Sequence, residues 1–191
     1  WMFCGCTNLE KLNVSTWYTP KLQNCLNMFE LCESLVELDM SLFYTNGATD
    51  IDNMFLKCTN LEVLDISNFH FGGIKQNENL CSLMFLDCPK LKHISMIYCR
   101  PSSFNTLQSA FNRLEPTVNV YYHDASLSEL TPHANVNYVY YDKSTVTLPY
   151  ELNKLPDGVA DYIDVVNGVY VQRVGKITFD GTEKDGKWMK G

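Results

Sequence analysis

The stretch "NMFLKCTNLEVLDIS", residues 53–67, decides the fold. Its second half, "LEVLDIS", spaces Leu61, Leu64 and Ile66 so that they face inward from a short strand. Its first half, "NMFLKC", follows Asp50 and Asp52, two candidate caps, and predicts a short helical turn. Cys58 stands between the two halves with no catalytic or metal-binding neighbour in the sequence.

The same pattern recurs in "WMFCGCTNLEKLNVS" from Trp1, "NMFELCESLVELDMS" from Asn27 and "LMFLDCPKLKHISMI" from Leu83. Met2, Met28, Met54 and Met84 are separated by 26, 26 and 30 residues. A fifth, worn copy, "SAFNRLEPTVNVYY", follows another 26 residues on. The four extra residues fall near "HFGGIKQNENL", where two glycines suit an exposed loop. Fixed-period self-similarity means stacked supersecondary units, because one copy cannot bury its apolar faces alone.

Each column of the alignment has one physical task. Phe3, Phe29, Phe55, Phe85 and Phe111 form an aromatic column. Cys6, Cys32, Cys58 and Cys88 align with Leu114, and Cys25 and Cys81 align with Ile51 and Leu107. Cysteine that exchanges with Leu or Ile behaves as a small buried hydrophobe, not as a ligand. Equivalent side chains on neighbouring strands stand about 5 Å apart, too far for a relaxed disulfide. The expected fold is α/β: about five stacked copies, each with a strand, a turn and a short helix, over residues 1–122. A sheet-closing cap over 123–150 and a C-terminal β-hairpin module over 151–191 complete the expected organisation.

The tail differs in kind from the repeats. All eight cysteines lie at or before Cys99. "TVNVYYHD" and "NVNYVYYD" are tyrosine-rich strand signals that extend and close the sheet. Asn167-Gly168, between "YIDVV" and "VYVQR", is a two-residue hairpin signal, and "GKITF" supplies a candidate third strand.

The repeats resemble the leucine-rich-repeat solenoids. More narrowly, they resemble the Met-Phe-x-x-Cys repeats of BspA-like bacterial surface proteins, through Met28, Phe29, Cys32, Leu35, Leu38 and Ser41 and through Met54, Phe55, Cys58, Leu61, Leu64 and Ser67. That resemblance implies a leucine-rich-repeat solenoid and a surface protein, the family including adhesins. Residues 152–188 resemble a module of phage and prophage tail proteins of Gram-positive gut bacteria. Leu155, Pro156, Gly158, Val159, Asp161, Asp164, Asn167, Gly168, Arg173, Val174, Gly175, Lys176, Asp180 and Gly181 carry that likeness. It implies a tail-associated host polypeptide rather than a chemistry.

Composition narrows the function. The 191 residues carry 22 acidic and 15 basic side chains, a net charge of −7, which disfavours a nucleic-acid surface. No apolar run approaches the ~20 residues of a transmembrane helix, and "WMFCGC" does not read as a signal peptide. Of the four histidines, His123 neighbours Asp124, but adjacent strand residues point to opposite faces. Cys4 and Cys6 form a C-x-C without a second ligand pair. "DGTEKDG" lacks the order of a calcium loop and reads as a solvated turn. No enzyme activity, cofactor or metal is expected.

The outward strand positions remain for binding. Lys11, Glu37, Val63 and His93 form one column, and Asn13, Asp39, Asp65 and Ser95 the next. The expected partner-binding set is Lys11, Glu37, Asp39, Val63, Asp65 and His93, facing a protein or carbohydrate on a host surface, without nucleic acid or membrane insertion. The expected setting is extracellular, on a cell surface or a virion. The alternatives are a structural spacer with no ligand and, third, a glycan-acting enzyme domain.

Overall fold

A computed structural model describes residues 1–14, 17, 19, 21–41, 43, 45, 47–69, 81–97, 99, 107–115, 117–123, 132–141, 163–166, 169–172, 183–184 and 187–188. The chain divides into two compact units, Trp1–Asn153 and Lys154–Gly191.

The first unit holds a five-stranded sheet, all parallel, in chain order: β1 (Glu37–Asp39), β2 (Val63–Asp65), β3 (His93–Ser95), β4 (Val118–Tyr122) and β5 (Val136–Tyr140). Register follows the sequence repeat, so that Leu38, Leu64, Ile94, Val120 and Tyr138 lie side by side. The first four are fully buried. The period-2 alternation of "LEVLDIS" produces this: Leu61, Leu64 and Ile66 all lie in the core. "NVNYVYYD" supplies β5. The first copy contributes no strand among the described residues, so the sheet begins at β1.

The aromatic column stacks through the core. Successive rings of Phe3, Phe29, Phe55, Phe85 and Phe111 are 5.2, 5.7, 6.1 and 6.3 Å apart and within 9° of parallel. Offset parallel rings at such distances add attraction beyond the area they bury. Phe43 and Phe69 form a second, tilted pair.

The α/β solenoid expectation is overturned. The sheet is all-parallel, and helix among the described residues is confined to 107–111. The segments expected to be helical are successive turns. Cys32 N–H reaches only three residues back, to Phe29 O, and Cys58 N–H likewise to Phe55 O. The intervening donors leave their own copy: Phe29 and Leu31 N–H donate to Met54 and Leu56 O, and Phe55 and Lys57 N–H donate to Met84 and Leu86 O. Leu31, Lys57 and Asp87 hold positive φ, near 60°, in the column where the first copy has Gly5. Asn27 and Asn53 do the same at the start of their turns. A left-handed residue cannot continue a right-handed helix. The expected caps work as turn residues instead: Asp50 Oδ1 accepts from Asp52 N–H, and Asp52 Oδ1 from Leu83 N–H in the next copy.

Among its described residues the second unit contains two antiparallel pairs. β6 (Ile163–Val166) pairs with β7 (Val169–Gln172), Val166 opposite Val169, as the Asn167-Gly168 signal predicts. β8 (Glu183–Lys184) pairs with β9 (Lys187–Trp188) inside the "DGTEKDG" region and beyond it. The candidate strand "GKITF" lies outside the described residues.

Candidate functional site

The parallel register brings two rows of side chains to the outward face of the sheet. One row is Glu37, Val63, His93, Asn119 and Asn137; the other is Asp39, Asp65, Ser95, Tyr121 and Val139. Neighbours within a row sit one strand spacing apart, about 4.8 Å.

Only the first row meets solvent along its length. Glu37 and Asn137 are exposed, while Val63, His93 and Asn119 are partly so. In the second row Asp65, Ser95 and Tyr121 are buried and only the two ends, Asp39 and Val139, are partly open. Asp65 is therefore not the surface acid that the sequence suggested. Its carboxylate turns back on its own chain, where Oδ1 accepts from Ser67 N–H at 2.9 Å. Asp39 does the same for Ser41 N–H. An Asp two residues before an N–H forms this local turn readily, which draws the charge off the face. Lys11 is exposed but lies outside the sheet, so the strand register does not join it to the others.

The accessible row is itself ordered by polar contacts. His93 Nδ1 lies 3.0 Å from Tyr121 Oη, and their rings are 5.9 Å apart. Asn137 Nδ2 donates to Asn119 Oδ1 at 2.8 Å. Burial, with Lys92 beside it, lowers the His93 pKa, so the ring is neutral at pH 7. Lys92 pairs instead with Glu62 at 2.7 Å and holds that exposed carboxyl below its usual range. Sequence reasoning missed Asn119 and Asn137, and it offered Tyr121, with Tyr122, Tyr138, Tyr140 and Tyr141, as an exposed aromatic anchor, whereas Tyr121 is buried. The signal was present: "TVNVYY" and "NVNYVYY" place an Asn at one register position on adjacent strands.

At the C-terminal ends of β4 and β5 lies an aromatic cluster. Tyr140 packs edge-on to Tyr122, with ring centres 5.6 Å apart, and stacks on His123 at 5.8 Å. Tyr140 keeps 42% of its surface exposed.

The cysteines offer no reactive centre within the core. All eight are free thiols. The Sγ atoms of Cys32, Cys58 and Cys88 donate to the carbonyls of Phe3, Phe29 and Phe55 in the preceding copy, at 3.2, 3.1 and 3.0 Å. Burial pushes Cys32 up to about 11 and Cys25 and Cys88 up to about 12, and Cys58 is raised as well. The thiolate, which is the nucleophile and the metal ligand, is thereby suppressed. These residues are thus more than small hydrophobes, since each thiol also bonds one copy to the next.

No curated protein and no solved structure matches the chain. The repeat-bearing residues 1–114 match the model of the family described as "Mycoplasma protein of unknown function, DUF285", and the chain belongs to that family.

Proposed function

We propose that the chain is a non-enzymatic binding module of a displayed bacterial protein, meeting a host protein or carbohydrate through the outward row of its sheet. One observation carries this reading. Five side chains in register, Glu37, Val63, His93, Asn119 and Asn137, reach solvent and change chemistry at every step but the last. The inward row beside them is aliphatic from Leu38 to Val120 and ends at Tyr138. A face released from packing, held on a rigid parallel sheet, is where stacked repeats place recognition. Membership of a family whose repeats resemble BspA-like surface proteins supports display at a surface. The tail-protein likeness of residues 152–188 makes a virion the alternative setting. Acidic Glu37 at one end of the face favours a neutral or basic partner.

A structural spacer is the second reading, favoured by the unbroken stack from Phe3 to Phe111. Binding of the labelled chain to cells and to immobilised glycans separates the two. The variant Glu37→Ser, Val63→Ser, His93→Ser is compared at equal thermal stability. The binding reading expects a loss of tenfold or more. Undiminished binding by the folded variant overturns the sheet-face assignment, and no binding by the native chain favours the spacer.

A further inference from the structure

His133 lies just before β5, in contact with the helical turn at 107–111. It is 9% exposed. Nδ1 sits 2.8 Å from Asn112 Oδ1 and donates to it, since an amide oxygen only accepts. Its ring meets Phe111 edge-on at 5.7 Å, and Tyr138 of β5 at 6.4 Å. With the proton on Nδ1, Nε2 is a buried acceptor, and among the described residues no hydrogen-bond donor reaches it. The neutral tautomer leaves one lone pair unsatisfied. The protonated ring would leave a positive charge and a second N–H in the same apolar site, which costs far more.

We propose that His133 is a pH-sensitive latch for β5: neutral, it seats between Asn112, Phe111 and Tyr138 and holds the fifth strand on the sheet; protonated, it leaves and β5 loosens. Besides its ladder with β4, this segment meets the helical turn and the residues after it through the edge-on contact of Tyr138 with Phe111 at 6.3 Å and through Asn135 Nδ2, which donates to Leu114 O; Asn135 O accepts from Val118 N–H at the start of β4. Among the described residues the titratable groups near the latch are few. From β5 Tyr138 faces it, neutral because burial raises its pKa to about 12. From the turn after the helix Arg113 and Glu115 both point to solvent. Burial lowers the His133 pKa.

The sign follows. A histidine whose folded pKa is depressed contributes stability that is complete above its unfolded pKa, near 6.5. That stability declines as pH falls from there toward the folded pKa. At pH 5.0 the opening constant of β5 rises by a few-fold to about 30-fold over pH 7.5. Loosening would bare the β4 edge and the Phe111 end of the stack.

The test is residue-resolved amide exchange on the whole chain at pH 7.5 and 5.0, referenced to the unfolded rate at each pH. The latch predicts that β5 protection falls several-fold at pH 5.0 while β2 and β3 hold. His133→Gln, neutral at both values, abolishes the difference. His123 also touches this region, its Nδ1 against Tyr141 O, so His123→Gln serves as the control and leaves the pH effect in place. Equal protection of β5 and β2 at pH 5.0 in the native chain overturns the proposal. So does a pH effect that survives His133→Gln.

Discussion

The segments 53–58 and 107–112 deliver the same side chain to the same place by different backbones. Phe55 and Phe111 both stack in the aromatic column and both are buried. Around Phe55 the chain takes positive φ at Asn53 and Lys57, and Phe55 and Lys57 donate to the following copy. Around Phe111 it forms a helical turn, and Asn112 N–H closes on Gln108 O within the same segment. A left-handed non-glycine residue costs about 1–2 kcal/mol, while a net hydrogen bond returns about 0.5–1.5 kcal/mol. Asparagine tolerates the left-handed region, so the two bonds to the neighbour chiefly offset the strain at Lys57. The side-chain column is set by packing, whereas the backbone route depends on where the N–H groups find acceptors.

The largest expected effect probes what the two segments share. Phe55→Ala should cost about 3–5 kcal/mol in equilibrium denaturation, because it opens a cavity between two stacked rings. Phe111→Ala should fall in the same range, since its ring is as deeply buried. A loss below about 1 kcal/mol at either position would mean that its ring is not part of a packed core.

A smaller effect probes what they do not share. Cys58 donates its thiol proton to Phe29 O, while the equivalent Leu114 has none to give. Cys58→Ala should cost only about 1–2 kcal/mol, because Phe29 O keeps its bond from Cys32 N–H and is not orphaned. Thiol labelling sharpens the same point. Cys32, Cys58 and Cys88 should resist reaction in the native chain and react fully once it is denatured. Rapid native labelling of all three would remove them from the core.

The sheet and its inward columns were legible in the sequence because strand periodicity is insensitive to the path between strands. Leu38, Leu64, Ile94 and the five phenylalanines follow from spacing alone. The turns were not legible. Met54, Phe55 and Cys58 have the apolar spacing of a helical face, and a run of three-residue turns presents nearly the same spacing. In this column Gly5 carries a left-handed signal and Asp87 a weaker one; Leu31 and Lys57 give none. The outward face was legible as a face but not in its exposure. Asp65 reads as a surface acid until its local turn is seen, and Lys11 aligns with a strand that its own copy does not form.

The central claim, that neighbouring copies impose the left-handed turns, is tested most directly by glycine in one alignment column. Lys57 has positive φ, whereas Arg113, its counterpart in the fifth copy, does not. Lys57→Gly should stabilise the protein by about 0.5–1 kcal/mol, since glycine relieves the strain. Arg113→Gly should destabilise it by about 0.5–1 kcal/mol, since there glycine adds only chain entropy. Opposite signs in matched denaturation curves are the predicted result. Destabilisation of similar size at both positions would contradict the account.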